Sequence, residues 1–399
     1  MTNSYWQIKN SSFRDTTRIE PELSRHFDIA IIGAGLVGVS LAYFLKKAGC
    51  DNIVVLEKAY ISYGASGRNA GFLISGMAEP YARLVVGLGR DGAREMMRAT
   101  LENHDLVAAA IAEKNIKCDY KRAGSYHLAI SEVERNELYD SIELLNADGF
   151  PCEYISRESL TPRIGFGKYA CGHFTPADGC LDPYAFVTGL SRDIPVAEGF
   201  DVKSLNKNSG GISICDGRKK VSAEMAILAT NAYSPLLDPF FRQLIFPVRG
   251  QMLATVPKPE APLADSTYYA NFGYDYFRQS YERAIVMGGL RNRFIETEIG
   301  YDDSTTTGLQ KGLEDYISEN IELGNFGIEC RWSGVMGNTI DGLPLVGTLP
   351  HNSHVFAVVG CNGHGFGLGM LMARDLTSAI MGDKTSEILN RFSLKRFLK

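Results

Sequence analysis

Three short glycine-bearing stretches hold most of the chemistry that the chain declares. Gly33-Ala34-Gly35-Leu36-Val37-Gly38 stands directly behind an apolar run, and Glu57 closes a second apolar run nineteen residues after Gly38. A Gly-x-Gly-x-x-Gly turn with such an acid is the pattern that holds an adenine dinucleotide. Gly33 permits a tight turn, Gly35 lets backbone approach a pyrophosphate, and Gly38 lets helix and strand pack closely. The helix start offers unpaired N–H groups and a partial positive charge to phosphates. The Glu57 carboxylate can accept the hydroxyl protons of a ribose. The bland alternative is an ordinary strand–helix turn rich in glycine; the strand before, the helix after and the acid all favour the dinucleotide. Gly64-Ala65-Ser66-Gly67-Arg68-Asn69-Ala70-Gly71 follows at once. Gly360-Cys361-Asn362-Gly363-His364-Gly365 then opens a second helix start, 327 residues after the first. A long two-part cofactor held by both ends of the chain needs this; a simple nicotinamide dehydrogenase does not.

These groups need elements to position them. Asp28–Ile32 and Ile53–Leu56 read as buried strands, with a helix running to Lys47 between them. Residues 80–145 read as helices around Tyr81–Val86, Met96–Ile111 and Val133–Leu145, with a strand at 124–130. Asp182 and Pro183 are an N-cap and first-turn pair. Short strands are expected at Ile212–Cys215 and Ala223–Ala229, the latter ending in Thr230-Asn231-Ala232. Residues 240–295 alternate aromatic, aliphatic and polar types, the mark of an antiparallel sheet of different character. His354–Val359 is a further strand, and Phe366–Met381 a helix that Gly382 stops.

At 399 residues the chain can bury a large core and form two domains. Its net charge of −5 gives no basic footprint for nucleic acid. The first 27 residues are polar and charged, with Arg14, Arg18, Glu20, Glu22 and Arg25, and show no secretory signal. Residues 29–45 are uncharged, but three turn glycines make them a strand and helix rather than a membrane span. Eight scattered cysteines without C-x-x-C spacing read as reduced thiols, and Cys171-x-His173 and Cys361-x-x-His364 complete no zinc pattern. A cytoplasmic protein without metal is expected. Tyr5 and Trp6 are unusual for a free tail, so the N-terminal arm is expected to dock on the body.

With these motifs in this order, the chain resembles the D-amino-acid oxidase-like family of FAD-dependent amine oxidoreductases, which includes glycine, sarcosine and gamma-glutamylputrescine oxidases. The resemblance covers nearly the whole length. It also rests on Ala229-Thr230-Asn231-Ala232, on Arg331-Trp332-Ser333-Gly334 and on Asp341-Gly342-Leu343-Pro344. Ser4-Tyr5-Trp6, Gly64–Asn69, Cys118-Asp119-Tyr120 and Tyr276-Phe277-Arg278 look most like the gamma-glutamylputrescine oxidase branch.

The resemblance implies an α/β fold, α+β overall. A Rossmann-like FAD-binding domain of the glutathione-reductase type is woven from 1–79, 146–235 and 330–399, with 1–26 as an arm. A substrate domain with a large antiparallel sheet takes 80–145 and 236–329. FAD would lie extended and noncovalent. Its adenine end would meet Glu57, Lys58 and Val202, and its pyrophosphate Gly33–Gly38. Ala65–Gly71, Thr230, Asn231, Gly334 and Asn362–Phe366 would surround the ribityl chain and flavin. The implied reaction moves hydride from the carbon alpha to an amine nitrogen onto flavin N5, and the imine then hydrolyses. Molecular oxygen or another acceptor would reoxidise the flavin, and no strong general base is required.

Departures from the family narrow the substrate. Gly334 stands where some relatives carry a covalent cysteine, Met336 where glycine oxidases have a carboxylate-binding arginine, and Gly367 where sarcosine oxidases have a lysine. A larger or carboxylate-free amine is therefore expected. Met287 falls nearest the lysine that some oxidases place over the flavin. The catalytic candidates are His364, Tyr276, Arg278 and Met336. His364 reads as a flavin contact or a polar turn residue, and Tyr276 and Arg278 as pocket lining or a cross-sheet pair. His127 reads as a satisfied strand histidine, Trp332 as core, and Arg249 as structural or anion-binding. A nicotinamide dehydrogenase and a noncatalytic electron-relay subunit remain the rival readings.

Overall fold

The computed structural model describes residues 2–11, 19–77, 79–167, 169–261 and 263–398; residues 12–18 of the arm, with Arg14 and Arg18, lie outside them. Two eight-stranded sheets organise the chain. In the first, Val196–Glu198, Ile53–Glu57, His26–Ile32, Lys220–Leu228 and Asn352–Val359 lie side by side and parallel. Leu345–Leu349 closes one edge antiparallel, and the hairpin Ser204–Asn208/Gly211–Cys215 leans on Lys220–Leu228. The apolar runs of the sequence form these strands because both faces are covered. Ile29, Ile31, Ile53 and Val55 bury against the helices Leu36–Lys47 and Gly365–Ile380. Ala30, Ile32, Val54 and Leu56 point the other way, onto Ile212, Ile214 and Phe241.

The second sheet runs Ile328–Thr339, Ile245–Thr255, Ile285–Gly288, Asp275–Gln279, Thr267–Ala270, Ser125–Ala129, Cys171–Thr175 and Glu153–Ser156. It is antiparallel except where Thr267–Ala270 meets Ser125–Ala129. Sheet membership departs here from the expected division. Glu153–Ser156, Cys171–Thr175 and most of Ile328–Thr339 belong to this sheet, not to the nucleotide side. Strand alternation splits its faces. Tyr126, Tyr268, Phe277 and Met287 pack with the helix Thr307–Asn320. The neighbouring positions His127, Tyr269 and Tyr276 face the first sheet and line the cavity between the two.

The periodic stretch Tyr81–Lys114 forms two successive helical segments that meet at Gly89, whose φ of 73° is non-helical. Asp182 caps Pro183–Leu190 by accepting from the Ala185 N–H. The N-terminal arm docks as expected. Tyr5 and Trp6 are fully buried, and Ser4 and Gln7 close a capping box on the helix Tyr5–Lys9. Among the described residues no helix is long and apolar enough to cross a membrane.

Candidate active site

A cavity of about 600 Å³ separates the two sheets and gathers residues from both ends of the chain. Its nucleotide-like end starts at the first turn. Gly33, Gly35, Leu36 and Val37 line it, while Ala34 and Gly38 stand behind and set the turn. Gly33 has φ +106°, and a Cβ on Gly38 would lie 1.9 Å from the Gly33 carbonyl oxygen, so the helix rests directly on the turn. Glu57 is buried and accepts from the Ala34 N–H at 2.9 Å and the Ala59 N–H at 3.0 Å. Burial raises its pKa, and those two hydrogen bonds oppose the rise. Lys58 and Val202 line the same end. The Lys58 ammonium lies 3.7 Å from the Tyr233 ring centroid, and burial lowers its pKa.

The stretch 64–71 crosses the middle. Ala65, Ser66, Arg68, Asn69 and Ala70 line the cavity; Gly67 and Gly71 press on the Ser62 and Leu181 carbonyls behind it. Ser66 Oγ accepts from the Leu36 N–H at 2.8 Å, tying this loop to the first helix start. The arm holds the loop from outside. Ser4 Oγ donates to Gly67 O, Trp6 Nε1 to Asn69 O, and Gln7 Nε2 to the carbonyls of Ser62 and Tyr63. Arg68 donates to Tyr63 O, Ser333 O and Asp303, and keeps one buried nitrogen without a partner.

The C-terminal loops close the other side. Thr230, Asn231, Gly334, Met336, Asn362, Gly363, His364, Gly365 and Phe366 all line the cavity. Asn231 Oδ1 accepts from the Cys361 N–H at 3.0 Å, and Asn362 Oδ1 from the Thr339 N–H at 2.7 Å, so three chain segments are welded together. Neither Gly35 nor His364 caps its helix with a side chain, so both helix starts have first-turn N–H groups to offer. His364 Nε2 is buried and unpartnered. Burial lowers the His364 pKa, while hydrogen bonding to the backbone of Ile74 and Gly76 opposes that.

The far end differs from expectation. Tyr276 lines it, with burial raising its phenol pKa. Arg278 does not. It lies on the Tyr276 face but two residues further along, under the N-terminal helix. There it donates to Leu181 O at 2.8 Å and its guanidinium sits 4.8 Å from the Trp6 ring centroid. Met287 pairs with Phe277 across the strands and is buried in the core, so it does not line the cavity. Arg249 is structural, held by both carboxylate oxygens of Glu298 at 2.8 and 2.9 Å. Trp332 is core, donating to Arg68 O at 2.8 Å.

Among the lining residues that sequence reasoning did not place at the site are Tyr269, His127 and Arg291. The backbone of His127 is paired in the sheet, but its ring touches Tyr269 and His173 without a hydrogen bond to any described residue, so it does not fit the reading of a satisfied strand histidine. Arg291 follows a reversal at Gly288–Gly289–Leu290. The buried Asp275 fixes that bend by accepting from the Leu290 N–H at 3.1 Å. Arg291 lies over the Tyr274 ring at 5.0 Å and has no carboxylate in ion-pair range among the described residues. Its charge lowers the pKa values of Tyr269 and Tyr276 against the dominant effect of burial. The only signal in the sequence was a glycine pair ending a strand.

These residues fit an extended dinucleotide: an acid for a ribose, two open helix starts for anionic groups, and near the second an imidazole whose Nε2 has no partner among the described residues. A family model described as FAD-dependent oxidoreductase matches residues 28–379. The chain belongs to that family. A probable oxidoreductase, OrdL, of Haemophilus influenzae is 27% identical over 95% of this chain and 88% of its own length. The gamma-glutamylputrescine oxidoreductase of Escherichia coli is 23% identical, covering 96% and 89%. Among solved structures, glycine oxidase from Geobacillus kaustophilus superposes with a TM-score of 0.81 at 20% identity, over 94% of this chain and 100% of that one. L-proline dehydrogenase from P. horikoshii gives 0.78 at 21%, covering 96% and 98%. Both share the fold.

Proposed function

We propose that this FAD-dependent oxidoreductase oxidises an amine that carries a carboxylate. One observation carries the reading. The cavity lined by Glu57 and the two helix starts is also lined by Tyr276 and by Arg291, a cation without an ion partner among the described residues. A guanidinium with two tyrosines suits a carboxylate, which accepts two parallel hydrogen bonds. The expectation of a larger or carboxylate-free amine rested on Met336 and Gly367, and Arg291 supplies a cation from another segment, the short helical turn Arg291–Arg293. The names of the relatives agree, since gamma-glutamylputrescine and glycine both carry carboxylates.

Bound FAD supplies a two-electron acceptor at this end of the cavity. The chain's residues orient the substrate and exclude water. Arg291 and Tyr276 fix the anionic group, and the apolar Phe72, Met252 and Met336 dry the space beside it. The N–H groups at the start of Gly365–Ile380 stabilise negative charge that develops near them. Cys361 is the only cysteine among the described residues that line the cavity, and burial pushes its thiol up to about 12, so noncovalent FAD is expected.

Anaerobic bleaching of the bound flavin tests this. Glycine, sarcosine, proline, putrescine and gamma-glutamylputrescine are added one at a time while visible absorbance is followed. Bleaching by a carboxylate-bearing member and not by putrescine is the expected result, and readmitted air then separates oxygen from another acceptor. Equal bleaching by putrescine would remove Arg291 from the substrate site.

A further inference from the structure

Strand register sets five side chains in one row across the second sheet. Tyr276 opposes Tyr269, Tyr269 opposes His127, His127 opposes His173, and His173 opposes Tyr154 at the sheet edge. Ring centroids are 6.2 Å apart for Tyr276 and Tyr269, 5.3 Å for Tyr269 and His127, and 5.5 Å for His127 and His173. Tyr276, Tyr269 and His127 line the reaction cavity, and His173 does not. His127 and His173 together line a second cavity of about 50 Å³, with Ser75, Glu79 and Thr175. That space is large enough for ordered water and polar enough to hold it. A third, of about 20 Å³, joins His127 to Glu134.

The histidine pair has no evident use in folding. His127 makes no hydrogen bond to a described residue, and His173 has one contact, Thr175 Oγ1 at 3.2 Å. A half-buried imidazole whose nitrogens bond to no described residue, as at His127, costs stability that phenylalanine would not. The reaction has a need that the row meets. An amine with a usual pKa enters as an ammonium ion, and hydride leaves only from the neutral amine. One N–H bond therefore breaks first and its proton must leave the apolar space beside the substrate. The C–H bond then breaks, its electron pair passes to the bound FAD, and the nitrogen lone pair forms the C=N bond.

We infer that His127 and His173 form a proton outlet, carrying the proton shed by the substrate ammonium from the reaction cavity into the adjoining cavity at Ser75, Glu79 and Thr175. The inference rests on the proposal that the substrate is an amine. A neutral imidazole offers a lone pair on one nitrogen and N–H on the other, so it accepts a proton on one side and releases one on the other. Burial holds both rings neutral, lowering His127 to about 4 and His173 to about 3. The groups that face His127 are His364 from the last helix start, Tyr269, His173 and, across the smallest cavity, Glu134.

The test is stopped-flow anaerobic bleaching between pH 6 and 10, using the FAD-loaded protein and the panel amine that bleaches it fastest. His127→Phe and His173→Phe should each slow bleaching tenfold or more below the substrate amine's pKa and much less above it. Added imidazole should restore most of the loss. His173→Phe leaves the reaction cavity untouched, so lost substrate contact cannot explain its effect, and it stands in if His127→Phe fails to fold. Rates within twofold of wild type at every pH, or a pH-independent loss that imidazole does not relieve, would overturn the outlet. If no amine bleaches the wild type, the amine reading fails separately. Flash reduction of bound FAD by a photoexcited deazaflavin, with proton uptake followed by an indicator dye, then decides the path. Uptake slowed tenfold in both variants supports it, and unchanged uptake refutes it.

Discussion

Gly38→Ala is the sharpest probe of the first turn. A Cβ at Gly38 would lie 1.9 Å from the Gly33 carbonyl oxygen, whereas ordinary contact begins near 3.4 Å. The obstacle is backbone, so the helix start must retreat by the difference, about 1.5 Å. A phosphate held at about 2.9 Å by first-turn N–H groups would then stand beyond hydrogen-bond range. Each charge-assisted bond contributes about 1.5–3 kcal/mol. Losing two costs about 3–6 kcal/mol, or at least about 100-fold in affinity. Overpacking itself lowers stability by about 1–3 kcal/mol. The assay is FAD titration of the apoprotein by flavin fluorescence, with urea unfolding beside it. Gly87→Ala is the control: it lies in the helical stretch Tyr81–Lys114 with nothing within 4 Å of a new Cβ, and it should gain about 0.5–1 kcal/mol. FAD binding by Gly38→Ala within fivefold of wild type would refute the reasoning.

Arg278→Met should lower stability by about 2–4 kcal/mol, through a lost buried hydrogen bond and the Trp6 contact, yet leave the FAD-loaded fraction bleaching within threefold of wild type. A rate loss at full loading would return Arg278 to the reaction. Arg291→Leu should raise KM for a carboxylate-bearing amine about 10- to 150-fold, the equivalent of about 1.5–3 kcal/mol, with kcat nearly unchanged; steady-state kinetics decides. Asp178→Asn probes pH dependence. Burial raises Asp178 from 3.8 to about 6, so its stabilising contribution is full below pH 3.8 and is lost as pH rises through 6. The variant keeps the Ser75 bonds and should remove about 3 kcal/mol of that pH-dependent change. The depressed His127 and His173 act oppositely, losing stability as pH falls from 6.5 toward 4 and 3, so the difference between wild type and variant is the quantity to read from urea unfolding at pH 4–7. A pH-independent difference would contradict the assignment.

What was legible follows from where each constraint is written. The first turn was read in full because the strand, three glycines, helix and Glu57 lie within thirty consecutive positions and each has a local cause. The second helix start was legible for the same reason. The far end of the cavity was not, because register sets it. His127 meets Tyr269 only through a parallel pairing of strands that lie far apart in the chain, which no local pattern announces. Met287 failed on parity, since one residue's shift turns a side chain from the cavity to the core. Arg278 had the correct parity but the wrong depth. What covers it is the helix Tyr5–Lys9, more than 250 positions away in sequence.

The two sheets contribute to the cavity in different currencies. Parallel strands end together, so their following loops present backbone N–H groups at one edge, and side chains there matter mainly by being absent or small. This explains why Gly33, Gly35, Ala65 and Gly365 stand in the cavity wall where the loops reach it. The antiparallel sheet meets the cavity with its face, so every second residue projects a side chain toward it. Tyr276, Tyr269 and His127 follow from that geometry. Backbone contacts tolerate sequence change while glycines remain; projected side chains change with each substitution. On the proposed function, the second sheet and the turn after it choose the substrate, and exchanging the row at Tyr269 and Tyr276 should alter which amine bleaches the flavin while leaving FAD affinity intact.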